Sequence, residues 1–361
     1  MKKRIFSTGL IGIFLLFTVN PFIRALPPDK VIKKIHRGYP AGEKTVLTIQ
    51  NKYGDVNLEN WEKDSVSIDV TITVEYPDRE KAQRLLGYLD VKFSGEGNNI
   101  SAVTVIDSDF SRYSRGFRGD EKKFSIDYTI HAPVYINYNL LNKYGDAFIN
   151  ETGGKVNVEI RYGHLKINKL TRGNQKPLNN ITLAYSKGSI EEANWLMLNI
   201  KYSRLEINRA KAIAGETKYS KLYTGDISSV VLESKYDTYR FGKLNNLIVE
   251  AGYGDIEADE VGKKIMLETR YTGVDVDRIP AGFSSIEVDN EYGHIKLDID
   301  PGASYRLKGS TAYCTIHYPE SDRVSRITRT TSSEVDGIVG KDPQPTATVK
   351  IKSRYGTIDL H

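Results

Sequence analysis

Apolar and polar residues alternate along most of this chain, and the alternation changes phase at regularly spaced tyrosines. Before most of these tyrosines, apolar residues fall six and four positions back, often also two, as in Val156, Val158 and Ile160 or Leu196, Leu198 and Ile200. After it they fall three and five positions on, as in Leu165 and Ile167 or Leu205 and Ile207. Period two on both sides predicts strands. The switch from even to odd predicts a bend at the tyrosine, because a straight strand would turn its apolar set outward there. The residues after the tyrosine, Gly-Asp or Ser-Arg, tolerate turn dihedrals.

The aligned tyrosines are Tyr53, Tyr144, Tyr162, Tyr185, Tyr202, Tyr219, Tyr236, Tyr253, Tyr271, Tyr292, Tyr313 and Tyr355. From Tyr144 the steps are 18, 23, 17, 17, 17, 17, 18, 21, 21 and 42. One rung of two short strands and a corner cannot bury its apolar face alone. The predicted fold is therefore all-β: a single-stranded parallel β-solenoid with rungs of 17–21 residues and tyrosines laddered along one corner. Tyr185 heads an irregular rung, with Gly188 where an apolar residue belongs, preceded by a turn-rich stretch at Thr171–Asn180.

Two intervals break the spacing. Between Tyr53 and Tyr144 lie a long alternating strand (Ser65–Tyr76), a helical stretch (Asp78–Leu89), strands near Asp90–Phe93 and Asn99–Ile106, a polar loop (Asp107–Lys122) and a strand (Phe124–His131). This predicts an N-terminal β-rich cap with one short helix over the open edge of the stack. The polar stretch from Pro27 to Lys44 reads as a leader into the first strand. Pro319–Thr346 reads as a second excursion, a loop or hairpin. The expected organisation is residues 1–25 as a signal peptide, 26–135 as first rung and cap, and 136–361 as solenoid.

Lys2, Lys3 and Arg4 followed by the apolar run Gly9–Val19 make a signal peptide, cut near Ala25. The run is too short to span a bilayer comfortably, so no transmembrane domain is expected after processing; an uncleaved membrane anchor is the alternative reading. The chain carries 51 Lys+Arg against 46 Asp+Glu. Most of that excess lies in the signal segment, so no general attraction to nucleic acid is expected. Expected locations are the periplasm, the cell surface or the medium. The one cysteine, Cys314, rules out an intramolecular disulfide or a Cys-based zinc site and reads as a small residue in a rung.

Residues 47–58 (LTIQNKYGDVNL), 124–149 (FSIDYTIHAPVYINYNLLNKYGDAFI) and 347–360 (ATVKIKSRYGTIDL), with the Tyr-Gly turns between them, carry a resemblance. They resemble exported bacterial proteins usually called putative adhesins, or putative autotransporter-adhesin head domains, of unknown biochemical function. The resemblance implies a β-solenoid outside the cytoplasm and transfers no catalytic residue. An autotransporter would add a C-terminal barrel. None is expected here, because the chain closes on an ordinary rung.

Candidate chemistry lies beside the corners. Three positions before the tyrosine stand Glu159, Glu216, Glu233, Glu250 and Glu268; one before it stand Arg161, Lys201, Lys218, Lys235 and Arg270. Stacked, they predict an acidic column beside a basic one, serving solubility and register. A sharper set follows the corner. Glu257, Asp259, Asp275, Asp277 and Asp298 should face outward on successive rungs about 5 Å apart. That spacing suits a solvated acidic face, a cation or ligand site, or a glycosidase pair, with no His or Arg obviously aimed at it. In the Asp107–Lys122 loop, Phe110, Arg112, Tyr113, Arg115, Phe117 and Arg118 are candidates for touching a partner, and Arg118-Gly119-Asp120 is a short motif of low specificity. The Tyr-Gly-Asp turns read as turns rather than calcium sites. The histidines show no metal-ligand spacing, and no metal or cofactor is expected.

The expected function is non-enzymatic: an adhesin-like envelope or surface protein binding a glycan or cell-surface protein by multipoint contact along the repeat. A structural spacer and a polysaccharide-active enzyme using the acidic face are the alternatives. An exposed aromatic stripe favours glycan binding, a mixed-charge surface the spacer, and a pocket of converging carboxylates the enzyme. The sequence does not set the oligomeric state or the hand of the coil.

Overall fold

The computed structural model describes residues 29–113 and 123–361, except 174 and 177. The signal segment Met1–Ala25 and the loop residues Arg115, Phe117, Arg118, Gly119 and Asp120 lie outside the described residues. The protein is all-β, with every strand joined in one hydrogen-bonded network. Two short helices occur among the described residues, and neither is long and apolar enough to cross a membrane.

The repeating part is built from parallel pairs on either side of the tyrosines. Strands β2 (Val46–Lys52) and β3 (Val56–Asn60) flank Tyr53, and β8 (Asn137–Lys143) and β9 (Ala147–Thr152) lie parallel to them around Tyr144. Then come β10 (Val156–Arg161), β11 (His164–Leu170) and β12 (Asn179–Ala184). Strands β13 (Lys187–Lys201), β14 (Arg204–Lys218), β15 (Lys221–Lys235) and β16 (Thr238–Ile279) follow. Equivalent residues meet one step later: Leu196 pairs with Ile213, Ile213 with Val230, and Val230 with Leu247. These side chains are fully buried, and each contributes about 1.5–3 kcal/mol by leaving water. The inward faces join into one apolar cluster reaching from Val31 to Leu360. At the irregular rung, a Cβ on Gly188 would lie 2.9 Å from the Cδ1 atoms of both Leu183 and Leu205. Its neighbours fill the space that a side chain there would need.

The interval after Tyr53 folds as expected in outline. Strand β4 (Ser65–Tyr76) pairs antiparallel with β7 (Lys123–Ala132), and β5 (Leu89–Glu96) with β6 (Asn99–Ile106). Strand β6 lies parallel to β2, and β7 to β3, so this module covers the first rung. Helix α1 (Arg79–Leu86) is capped by Asp78, whose side chain accepts from the amides of Glu80 and Lys81. Ala82 and Leu85 are its buried residues, while Leu89 belongs to β5.

Three expectations change. The leader is a strand: β1 (Asp29–Pro40) pairs antiparallel with β4 over its whole length. Its lysines mark it as a charged edge strand, whose partner supplies the order that its sequence does not signal. The polar loop begins with helix α2 (Ser108–Tyr113), started by Asp107 accepting from the Asp109 amide at 2.8 Å. The third change is at the C-terminal end. Strands β17 (Ser285–Glu291) and β18 (Ile295–Ile299) flank Tyr292, and β19 (Tyr305–Ala312) and β20 (Ile316–His317) flank Tyr313. The final strands, β23 (Ala347–Arg354) and β24 (Ile358–Leu360), insert between them. Strand β23 pairs parallel with β17 on one side and β19 on the other, and β24 with β18 and β20. The excursion is a hairpin, β21 (Val324–Thr328) and β22 (Ser332–Val339), continuing antiparallel beyond β19.

Candidate functional site: the tyrosine corner

Each of the twelve corner tyrosines adopts a left-handed backbone, with φ between 50° and 66°. The bend is made by the tyrosine itself, not by the glycine that often follows. Glycine is needed there for another reason: a Cβ on Gly145 would lie 2.0 Å from the Gly54 carbonyl oxygen, and one on Gly356 2.0 Å from that of Gly293. In the Gly rungs of Tyr53, Tyr144 and Tyr292 an Asn two places before the tyrosine fills the inner corner. The Asn51 Nδ2 donates to the Gly54 carbonyl at 3.0 Å, and the Asn290 Nδ2 to that of Gly293 at 2.8 Å. Other rungs use serine after the tyrosine: the Ser186 amide donates to the Ser203 hydroxyl at 3.0 Å, and the Ser220 amide to the Asp237 carboxylate at 2.7 Å. Asp237 is 3 % exposed and also accepts from Ser234, Lys235 and Thr217, so its buried oxygens are well supplied with donors.

A left-handed conformation costs about 1–2 kcal/mol at a non-glycine residue, and the ring interactions recover a similar amount. From Tyr53 to Tyr292 the rings stack in chain order, followed by Tyr355 and then Tyr313. Neighbouring centroids are 4.7–5.1 Å apart and ring planes differ by 2–14°. Each stacked pair contributes about 0.5–1.5 kcal/mol. Phe124 packs on Tyr53 and Phe110 on Phe124, closing one end of the ladder. Tyr313, at the other end, is 60 % exposed, and the rings from Tyr144 onward are at least 42 % exposed. Because the faces lie against neighbouring rings, the ladder offers solvent its edges and hydroxyls.

Charge columns flank the ladder. Lys52, Lys143 and Arg161 stand in register, as do Lys201, Lys218 and Lys235, with Glu216, Glu233 and Glu250 beside them. Like charge lies over like, which opposes this register rather than setting it; the core and the tyrosines hold it. At β17 the rule reverses. Glu287, Asp289 and Glu291 face Lys350, Lys352 and Arg354 of β23, with separations of 3.5, 2.8 and 3.4 Å. Of these, Glu287, Asp289, Lys350 and Lys352 also line a groove of about 710 Å³ beneath the β21–β22 hairpin, together with Met266 and Ile327.

The acidic candidates are interleaved with cations. Arg240 grips Glu257 through Nε at 2.8 Å and through Nη2. The hydrogen bond to Glu257 raises the Arg240 pKa further. Lys296 stands between Asp298, at 3.0 Å, and Asp275, at 3.6 Å. Its pKa is raised, first by the Asp298 hydrogen bond. Asp259 and Asp277 are exposed. Among the described residues no group of three or more His, Cys, Asp or Glu is arranged to hold a metal ion. An arginine is therefore aimed at this face, contrary to expectation, as a partner of Glu257. Arg240 and Glu257 both sit four places after a tyrosine, so the rung spacing alone aligns them.

Of the loop candidates, Phe110 is 6 % exposed and belongs to the core. Its apolar ring finds Phe124 within the fold, leaving it no part in a surface contact. Arg112 is exposed on α2, and Tyr113 ends that helix. Cys314 sits directly after a corner tyrosine, its Sγ 3.4 Å from the Ala312 carbonyl oxygen, in the position most other rungs give to Gly or Ser.

No protein-family model matches the chain, and no curated protein matches it. Solved structures do. One, described as a putative cell adhesion protein from Clostridium sporogenes, is 12 % identical; the match covers 92 % of this chain and 98 % of that one, with a TM-score of 0.19. A putative adhesin from Parabacteroides distasonis is 10 % identical over 91 % of this chain and 97 % of its own, with a TM-score of 0.32. A putative adhesin from Bacteroides fragilis is 14 % identical over 91 % and 97 %, with a TM-score of 0.29.

Proposed function

We propose that the chain is an exported, non-enzymatic β-solenoid that binds an extended partner by multipoint contact along its tyrosine corner. The observation that carries this reading is the ladder: twelve tyrosines in unbroken register, spanning about 50 Å at the strand repeat. A sugar ring laid flat on an aromatic ring needs an open face, and the stack covers its faces. The edges and hydroxyls instead suit a chain that presents hydrogen-bonding groups at a similar repeat, and an envelope or cell-surface glycan has that chemistry. Export rests on the basic and apolar pattern of Met1–Ala25, and the adhesin-like role is supported by the family resemblance of the Tyr-Gly segments. The acidic face is a weaker candidate for the ligand, because Arg240 and Lys296 already engage Glu257, Asp275 and Asp298. The alternating charge of the flanks favours a spacer as the second reading.

The test is a broad glycan array probed with the mature protein, with and without calcium, each hit then followed for cleavage. Calcium-independent binding without cleavage is expected. Calcium dependence would move the site to Glu257, Asp259, Asp275, Asp277 and Asp298. Cleavage would make the protein an enzyme, and a blank array would favour the spacer.

A further inference from the structure

The last strand of the chain is not the last strand of the stack. Strand β23 fills an internal slot between β17 and β19, pairing parallel with both. The slot is chemically addressed. Its β17 wall carries Glu287, Asp289 and Glu291 outward, opposite Lys350, Lys352 and Arg354. Its β19 wall sets Lys308 opposite Lys350, so only β17 attracts this strand by charge. Where β14 meets β15, Glu216 faces Glu233 and Lys218 faces Lys235. A joint of that kind, with like charges opposed, offers the basic strand no comparable match. Inside the slot, Asn290 Nδ2 reaches the Ser353 hydroxyl at 3.1 Å, Tyr355 stacks between Tyr292 and Tyr313, and Gly356 fits where a Cβ would strike Gly293.

We propose that this slot is an interaction site for a second copy of the chain, which donates its own residues 347–361 in exchange. Such an exchange forms in trans every contact that exists in cis. The connector permits it. Val339, at the end of β22, and Ala347, at the start of β23, both pair with Tyr305, from opposite sides. The seven residues between those strands therefore cross a single strand, a span of about 10 Å, although seven residues extend to about 25 Å. The slack keeps the strand at home in a dilute chain, where its effective concentration is on the order of millimolar. It also leaves length enough to reach a neighbour when chains fold at high concentration.

Two measurements on the full chain test this, both with Cys314→Ser. First, Asp289→Cys and Lys352→Cys are made in separate chains, which are unfolded together, refolded together at high concentration and oxidised. Paired residues on adjacent strands lie about 4.8 Å apart, within reach of a disulfide. A covalent heterodimer is expected, and none when Lys308→Cys replaces Lys352→Cys, because residue 308 stays at home. No heterodimer, while Asp289→Cys and Lys352→Cys in one chain close internally, would overturn the proposal. Second, the Cys314→Ser chain alone is unfolded and refolded at low and at high concentration and sized by light scattering. A dimer fraction that rises with refolding concentration is expected, and a monomer at every concentration would overturn the proposal.

Discussion

The ring of Tyr355 lies 4.8 Å from that of Tyr292, with 6° between their planes, although a whole further rung and a hairpin separate them along the chain. The contact shows that the ladder is a property of the stack and not of chain order. A corner tyrosine in left-handed conformation finds its place wherever a strand of the right pattern is inserted.

The strain and the stacking at each corner can be separated at Tyr236. Tyr236→Phe keeps the ring and should leave stability within about 0.5 kcal/mol. Tyr236→Ala loses both stacked neighbours and retains the strain, costing about 1–3 kcal/mol; Tyr236→Asp, which puts a charge into the ladder, should also be destabilised. Tyr236→Gly should exceed Tyr236→Ala by about 1 kcal/mol, because glycine relieves the left-handed backbone. Urea midpoints would show the order, and Ala above Gly would contradict it.

Close backbone approach makes a second contrast. Gly145→Ala puts a Cβ 2.0 Å from the Gly54 oxygen, whereas at Gly252 nothing lies within 4 Å. The first change should cost about 1–3 kcal/mol and the second should be neutral. Equal melting temperatures for the two variants would refute the role given to the glycine.

Charge reversal probes the β17–β23 joint. Lys352→Glu and Asp289→Lys should each destabilise, and the double variant should recover part of the loss. The pair is exposed, so a coupling of about 0.2–1 kcal/mol is expected from the double-mutant cycle. A coupling of zero would leave the joint to the core and the ring stack.

Alkaline pH should unfold the protein through its buried tyrosines. Burial pushes the phenols of Tyr128 and Tyr305 up to about 12, and those of Tyr138 and Tyr239 upward as well. A folded pKa above the unfolded value of about 10 gives stability that is complete below about pH 10 and is lost as pH rises toward about 12. Denaturant midpoints should therefore fall across that window, and a flat profile would contradict the burial of these hydroxyls.

The stack was legible because one spacing governed both strand periodicity and tyrosine position. Other features left no such mark. Tyrosine is not a residue that announces a positive φ, so the bend at Tyr53 and its equivalents invited assignment to the following glycine. The 42-residue step to Tyr355 fits a skipped rung as readily as an inserted one. The distinguishing signal was charge, acids at 287, 289 and 291 against bases at 350, 352 and 354, which pairs strands that are not neighbours in order. Strand β1 was hidden because an edge strand can carry Lys33, Lys34 and Arg37 without an apolar rhythm. Arg240 beside Glu257 was within reach, since the two share a place in successive rungs.

The ladder's role is tested most directly by replacing three central hydroxyls, as Tyr202→Phe, Tyr219→Phe and Tyr236→Phe in one chain, and titrating it beside the native protein against an array-selected glycan. The account predicts an unchanged melting temperature and a loss of affinity of about tenfold or more, equivalent to about 1.4 kcal/mol. Equal affinity in the two proteins would contradict it and remove the tyrosine corner from the binding surface.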